Sequence, residues 1–371
     1  MADELKVVAA GGRVVSVDAL RGFDMFWIIG GDELLPRLDD VFHHPVTGVI
    51  KEQLVHVTWE GFRFEDLIFP LFLFIIGLVM PYSISRRLER GEGRGLVMRH
   101  IVIRGLVLIL LGLIYNGLLD FDFEKMRWVG VLQRIGLCYL IAGVIVMYTG
   151  WRGQAAFCVA FLVMYWAVMT FVPVPEFGAG VMTAEGCLSS YVDQLVIPGS
   201  LYYGFGDNEG ALSTFPAVST VLLGVLAGHW LRREKSGYLK AAGLAAAGLV
   251  CLAAGYAWSM QFPIIKNVWT STFVLVAGGW SLLLLAAFYL VIDIWGFKRW
   301  AFFFIVIGMN PITIYMAQRI VNFEEISHFL FSGAIGLAPL AWQALLLMAA
   351  VLLIKWLFLL FLHRRRVFLR V

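Results

Sequence analysis

Long apolar runs recur along this chain, each close to the ~20 residues that a helix needs to cross a bilayer. Short loops between them hold most of the charge. One soluble core cannot bury so many such runs, and a composition of 60% hydrophobic and 15% charged residues agrees. A spanning segment must satisfy its own backbone hydrogen bonds, which helices do. The fold class expected is therefore all-α: a polytopic membrane helix bundle of about ten transmembrane helices, forming one domain over residues 1–371. The spans are read as Val15–Leu34, Phe64–Ser85, Ile101–Leu119, Trp128–Thr149, Gln154–Val174, Leu212–Leu231, Leu239–Met260, Trp269–Ile294, Trp300–Val321 and Leu340–His363. The shorter apolar piece Ile326–Leu337 reads as re-entrant or interfacial.

Loop charge orients these spans. Arg86, Arg87, Arg90, Arg94 and Arg99 follow the second span; Arg232, Arg233, Lys235 and Lys240 follow the sixth; Lys298 and Arg299 precede the ninth; Arg364, Arg365 and Arg366 follow the tenth. With both termini cytoplasmic, all of them face the cytoplasm, as the positive-inside rule requires. The small net charge of +3 and this loop placement speak for membrane orientation and against nucleic acid. Met1 to Gly12 is short and mixed, so no cleavable signal peptide is expected. Cys138, Cys158 and Cys251 lie inside apolar runs and Cys187 in a loop, with no CxxC pair, which indicates neither disulfides nor a thiolate metal site.

The polar residues that resist this lipid-filling logic are the candidates for chemistry. Ser16-Val17-Asp18-Ala19-Leu20-Arg21-Gly22 opens the first span. Asp18 and Arg21 share a helix face and can pair, Asp24 extends that face, and Arg21 can instead bind a phosphate. Asp32 follows Gly30-Gly31 at the outer end; a carboxylate there can orient a histidine ring or simply be solvated. His56-Val57-Thr58-Trp59 lies in the outer loop just before Glu65, Asp66 and the second span. Its histidine can move protons near neutral pH. His43-His44-Pro45 lacks the spacing of a zinc site, so no metal is expected. Gln133 and Arg134 sit inside the fourth span, and Arg134 needs a partner such as Asp66, or a bound anion. Asn310-Pro311 breaks the ninth span and faces a polar cavity or a satisfied kink. Asp207-Asn208-Glu209 and Lys266-Asn267-Val268-Trp269 lead into spans six and eight on the same side as His56; they fit a sugar site or ordinary caps and interface anchors.

Taken in order, Ser-Val-Asp-x-x-Arg-Gly at Ser16 to Gly22, His56 with Trp59-x-Gly61, Asp66-Leu-x-Phe-Pro70, Gly130-Val-Leu-Gln-Arg134, Asp207-x-Glu209-Gly210, Lys266-Asn267-x-Trp269 and Gly308-Met-Asn310 resemble the heparan-α-glucosaminide N-acetyltransferase family, a group of transmembrane acyltransferases with bacterial members. The resemblance covers nearly the whole chain. It implies acetyl-CoA as donor (a co-substrate), a glycan or amino-sugar acceptor, and a homodimer by analogy alone. It also implies a multi-pass protein of a bacterial cytoplasmic (inner) membrane. The family's catalytic histidine matches His56, and its second active-site residue, an asparagine, falls on Asp32, which departs from the pattern. Arg21, Gln133, Arg134 and Asn310 are then the donor-binding candidates, and Trp59, Asp66, Asp207, Asn208, Glu209, Lys266, Asn267 and Trp269 the acceptor-binding ones. The expected reaction carries an acyl group from cytoplasmic acyl-CoA to an extracytoplasmic acceptor, with His56 as base or as acyl carrier. The rival expectation is a transporter of a sugar or related solute, which many spans and a buried arginine also fit.

Overall fold

The computed structural model describes residues 14–368, so the reading of Met1 to Gly12 lies outside the described residues. The chain is a helical bundle. Among the described residues eight helices are long and apolar enough to cross a membrane, and nine if the bent pair Ala301–Gly308 and Pro311–Ile320 counts as one. The first helix, α1 (Val15–Phe26), continues through a π-turn at Trp27–Gly31 into Asp32–Leu34, so the expected first span is helical with a kink at Gly30. Its charged residues Asp18, Arg21, Asp24, Asp32 and Glu33 keep it out of the plainly apolar class.

The remaining spans are α2 (Ile68–Glu89, entered by a 3-10 turn at Phe64–Leu67), α3 (Arg94–Tyr115), α4 (Val131–Tyr148), α5 (Trp151–Phe171), α6 (Thr214–Arg232), α7 (Gly237–Ser259), α8 (Ser271–Phe288), the bent pair α9 (Ala301–Gly308) and α10 (Pro311–Ile320), and α12 (Leu340–Arg364). Before α12, α11 (Phe323–Gly336) holds the short apolar piece as a 14-residue helix packed along it. Pro311 cannot donate to the preceding turn, and the chain bends by 69° between α9 and α10.

The windows of α2 and α6 are 72% buried, against 28% for those of α3, α5 and α12, which locates the centre of the bundle and its lipid-facing rim. Small residues let α2 and α6 touch backbone to backbone. A Cβ on Gly77 would stand 1.9 Å from the Val221 carbonyl oxygen, and one on Gly224 1.9 Å from that of Phe74.

The long α2 fixes the two ends of the molecule. Asp66 stands at its start and Arg87 near its finish, about 30 Å apart at 1.5 Å per residue. Val14 and Phe368, the two ends of the described chain, both line cavities beside Arg21 and Arg87. Both therefore lie at the arginine-rich end, away from His56.

Candidate active site

His56 reaches its partners because two distant loops are stitched together. Glu60 forms an antiparallel bridge with Ile265, and Gly61 N donates to the Ile264 carbonyl over 2.9 Å. Gly61 adopts φ +127, where a side chain would be strained. This stitch sets Lys266 beside His56, 210 residues earlier in the chain. The Lys266 loop is tightly built: Trp269 takes φ 53, its amide donates to the Lys266 carbonyl, and Tyr165 OH donates to the Val268 carbonyl over 2.5 Å.

Asp66 closes the group. Its carboxylate is fully buried at the 3-10 turn. Oδ2 accepts the Arg63 backbone N–H at 3.0 Å, capping the turn, while Oδ1 lies 3.0 Å from His56 Nδ1 and 3.4 Å from Lys266 Nζ. Lys266 Nζ stands 2.9 Å from Nδ1 and 3.1 Å from Nε2 of the ring. An ionised Asp66 accepts from Nδ1–H, which leaves Nε2 as the basic nitrogen. Burial pulls the Lys266 ammonium below its ordinary range, and the Asp66 and Glu65 carboxylates oppose that pull. The imidazole stays 55% exposed, open to an incoming group on its free side.

These contacts revise the sequence expectations. Asp66, expected on the acceptor, bonds the His56 ring. Asp32, expected to orient His56, does not bond to it. It ends the π-turn next to Glu33 and is an electrostatic neighbour of Glu65 and Lys355. The cause lies in the backbone: Gly30 takes φ 130 inside the π-turn, and Lys355 Nζ donates to the freed Ile29 carbonyl at 2.8 Å, anchoring that turn to α12.

Asp207, Glu209 and Trp269, expected to meet a sugar, are engaged elsewhere. Arg127 Nε and Nη2 bond both Asp207 oxygens at 2.7 and 2.5 Å, and Nη2 also pairs with Glu209. Burial pushes the Asp207 carboxyl up, but Arg127 and two backbone amides outweigh it and hold the group below the usual range; burial leaves Glu209 above its own. Trp269 is 1% exposed, donates to Thr220 and offers its ring face to Arg134 at 5.1 Å. Asn208 is half-buried with an unpartnered Oδ1, Asn267 Nδ2 donates to the Thr58 carbonyl, and Trp59 Nε1 donates to the Met182 carbonyl. Among the acceptor candidates Lys266 and Asp66 bond to His56.

Arg127 drew no attention in the sequence because it reads as one more loop cation. Removing it leaves two buried carboxylates without their shared partner, so Arg127→Ala should cost about 3 kcal/mol of stability. Thermal unfolding of purified protein in detergent measures this; a change under about 0.5 kcal/mol, as at ordinary surface sites, would contradict it.

At the arginine-rich end two adjoining cavities of about 440 and 430 Å³ share Asp18, Arg21, Val79, Ser83 and Arg87. Arg21 also pairs with Asp18 at 3.3 Å, as its spacing suggested. Arg86 and Arg90 line the first cavity, His100 and Arg104 the second. The second runs on to apolar walls of Phe72, Leu132, Ile135 and Ile312 and does not include His56. Along α2, Phe72 stands about 9 Å from Asp66. Of the donor candidates, only Arg21 lines these cavities. Gln133 turns away, donating to the Trp128 carbonyl, and Arg134 bonds Gly210 O and Ser213 rather than Asp66 or the cavity. Asn310 donates to the Val367 carbonyl, between the cavity residues Met309 and Pro311. Arg104 was missed, although it lies in an apolar run as Arg134 does; Arg86 and Arg87 were absorbed by the topology argument.

Residues 13–255 match the family described as heparan-alpha-glucosaminide N-acetyltransferase, catalytic. The chain belongs to this family. It is 25% identical to heparan-alpha-glucosaminide N-acetyltransferase of Mus musculus, over 72% of this chain and 49% of that protein. It is likewise 25% identical to the Homo sapiens protein of that name, over 71% and 48%. The chain spans about half the length of these curated relatives. The stretch matching the heparan-alpha-glucosaminide N-acetyltransferase family contains His56, Asp66 and the arginines of both cavities; Lys266 lies beyond it.

Proposed function

We propose that this membrane protein is an acyltransferase that carries an acetyl group from acyl-CoA to the amine of an amino sugar or related glycan. One observation supports this above all: a half-exposed His56 held by Asp66 and Lys266 stands at the opposite end of the bundle from a basic cavity. In this reading the arginine-rich end faces the cytoplasm of a bacterial cell, where acyl-CoA is made, and His56 faces outward. Arg21, Arg87 and Arg104 take the nucleotide phosphates, and the apolar walls at Phe72 and Ile312 take the pantetheine arm. The arm bridges the remaining ~9 Å to the level of Asp66.

The chemistry follows from the triad. The acceptor nitrogen attacks the thioester carbonyl while His56 Nε2 takes its proton. Asp66 stabilises the imidazolium that forms. Lys266, 3.1 Å from Nε2, stands beside the carbonyl oxygen as it becomes an oxyanion and donates to it. Direct transfer suits a ring whose proton is held on Nδ1 by Asp66, with the Nε2 lone pair free; an acetyl-histidine trapped with acetyl-CoA alone would replace it with a two-step route. The transporter reading loses its main support, because Arg134 is bonded to protein and packed under Trp269 rather than facing a midplane site.

The test is ligand stabilisation in detergent. CoA or acetyl-CoA should raise the midpoint of thermal unfolding, by ~2.7 kcal/mol of stability at a hundredfold excess over its dissociation constant. Glucosamine plus acetyl-CoA should yield N-acetylglucosamine. Stabilisation by sugar with none by CoA would favour the transporter and end the proposal.

A further inference from the structure

The triad takes the amine's proton on the His56 face, and a sulfur that departs on another face needs an acid of its own. A second group of acids stands next to it. Asp24 is fully buried in α1, and neither carboxyl oxygen has a hydrogen-bond partner among the described residues. One turn on, Trp27 Nε1 is also unpartnered, as is Glu65 Oε2. Phe23 and Trp27 pack on Phe64 at 6.4 and 4.8 Å, which brings the Asp24 turn level with Glu65. Asp24 and Glu65 are electrostatic neighbours, and Glu65 in turn neighbours Asp66 and Lys266. A lone carboxylate ion in the apolar interior is costly unless it is bonded. No bond offsets that cost here, so the neutral acid is the form that fits, and a neutral acid carries a proton to give.

We propose that Asp24 is the acid that protonates the departing CoA sulfur. This rests on the acyltransferase reading, and its geometry follows from the route of the donor. A thioester that arrives from the arginine-rich end presents its sulfur to the interior and its carbonyl to His56. Its leaving-group acid must therefore sit on the interior side of the triad. Asp24 stands one helical turn beyond Arg21 of the basic cavity, buried at the level of Glu65. As the acceptor nitrogen bonds to carbon, the carbon–sulfur bond breaks and its electron pair goes to sulfur. The Asp24 O–H delivers its proton there, giving free CoA thiol and an Asp24 carboxylate. The proton that His56 takes from the amine balances the one that Asp24 gives to sulfur, so the turnover is proton-neutral once Asp24 is recharged.

The test varies the leaving group. Acetyl-CoA releases a basic thiolate that needs a proton, whereas an S-acetyl aryl thioester such as 4-nitrothiophenyl acetate releases one that does not. Asp24→Asn keeps the shape and loses the acid. It should lower kcat with acetyl-CoA roughly 10²-fold and leave the aryl thioester rate within about twofold of wild type. Asp24→Glu should recover part of the acetyl-CoA rate. Equal losses on both donors, or an unchanged acetyl-CoA rate, would overturn the proposal. Independently of any variant, wild-type turnover of acetyl-CoA should slow more in heavy water than turnover of the aryl thioester. A donor-independent isotope effect in an active enzyme overturns this inference alone. A wild type that transfers from neither donor takes the acyltransferase reading down with it.

Discussion

His56→Ala should lower acetyl transfer by roughly 10³-fold or more while the protein stays folded. Loss of activity follows because the other two groups of the triad cannot replace the ring: Asp66 is buried and spent on Arg63 N–H and the ring, and Lys266 is a donor. The fold should survive because the ring is more than half exposed, and Asp66 and Lys266 remain 3.4 Å apart to pair without it. The unfolding midpoint should therefore move little, within the range of ordinary surface substitutions of about 0.5 kcal/mol. Steady-state rates and thermal unfolding on the same sample check both halves. Full activity in the variant would remove His56 from the reaction; an unfolded variant would make it structural.

Asp66→Asn tests the orientation of that ring and should cost roughly 10²–10⁴-fold in kcat. An amide can place its NH₂ against Nδ1, which puts the ring proton on Nε2 and takes away the basic lone pair. The substitution also strips Lys266 of a counter-charge in a site where that residue is only 9% exposed. Burial already holds the Lys266 ammonium below its ordinary 10.5, and losing Asp66 lets it fall further. The folded state then binds its proton less readily than the unfolded chain does. Stability must rise with pH between the lowered folded value and 10.5. The stability deficit of Asp66→Asn should thus be greatest near neutral pH and narrow as the pH approaches 10. A deficit that is flat with pH would mean that Asp66 acts only as a turn cap through Arg63.

The spans were legible because each obeys a local rule: an apolar window of bilayer length must be a helix. Most boundaries moved by only a few residues, as from Gln154–Val174 to Trp151–Phe171. The first span was legible for the same reason, although its acids make it the least apolar. Partnerships were not legible, because they join residues that no spacing connects. Asp66 and Lys266 meet at His56 through the Glu60–Ile265 bridge, and Arg127 meets Asp207 across 80 residues. Asp32 looked suited to the ring by its place in the chain, but the π-turn at Gly30 sends it toward Lys355 instead. A tryptophan beside Lys266 suggested stacking on a sugar; its left-handed backbone turns the indole inward, over Arg134.

The central claim is that donor and acceptor meet from opposite ends of the bundle. Protein reconstituted in one orientation into sealed vesicles, with radiolabelled acetyl-CoA on one side and glucosamine on the other, tests it most directly. Acetylated product should appear on the His56 side only when acetyl-CoA is supplied at the Arg21–Arg87 side. Turnover with both substrates confined to the His56 side would contradict the account.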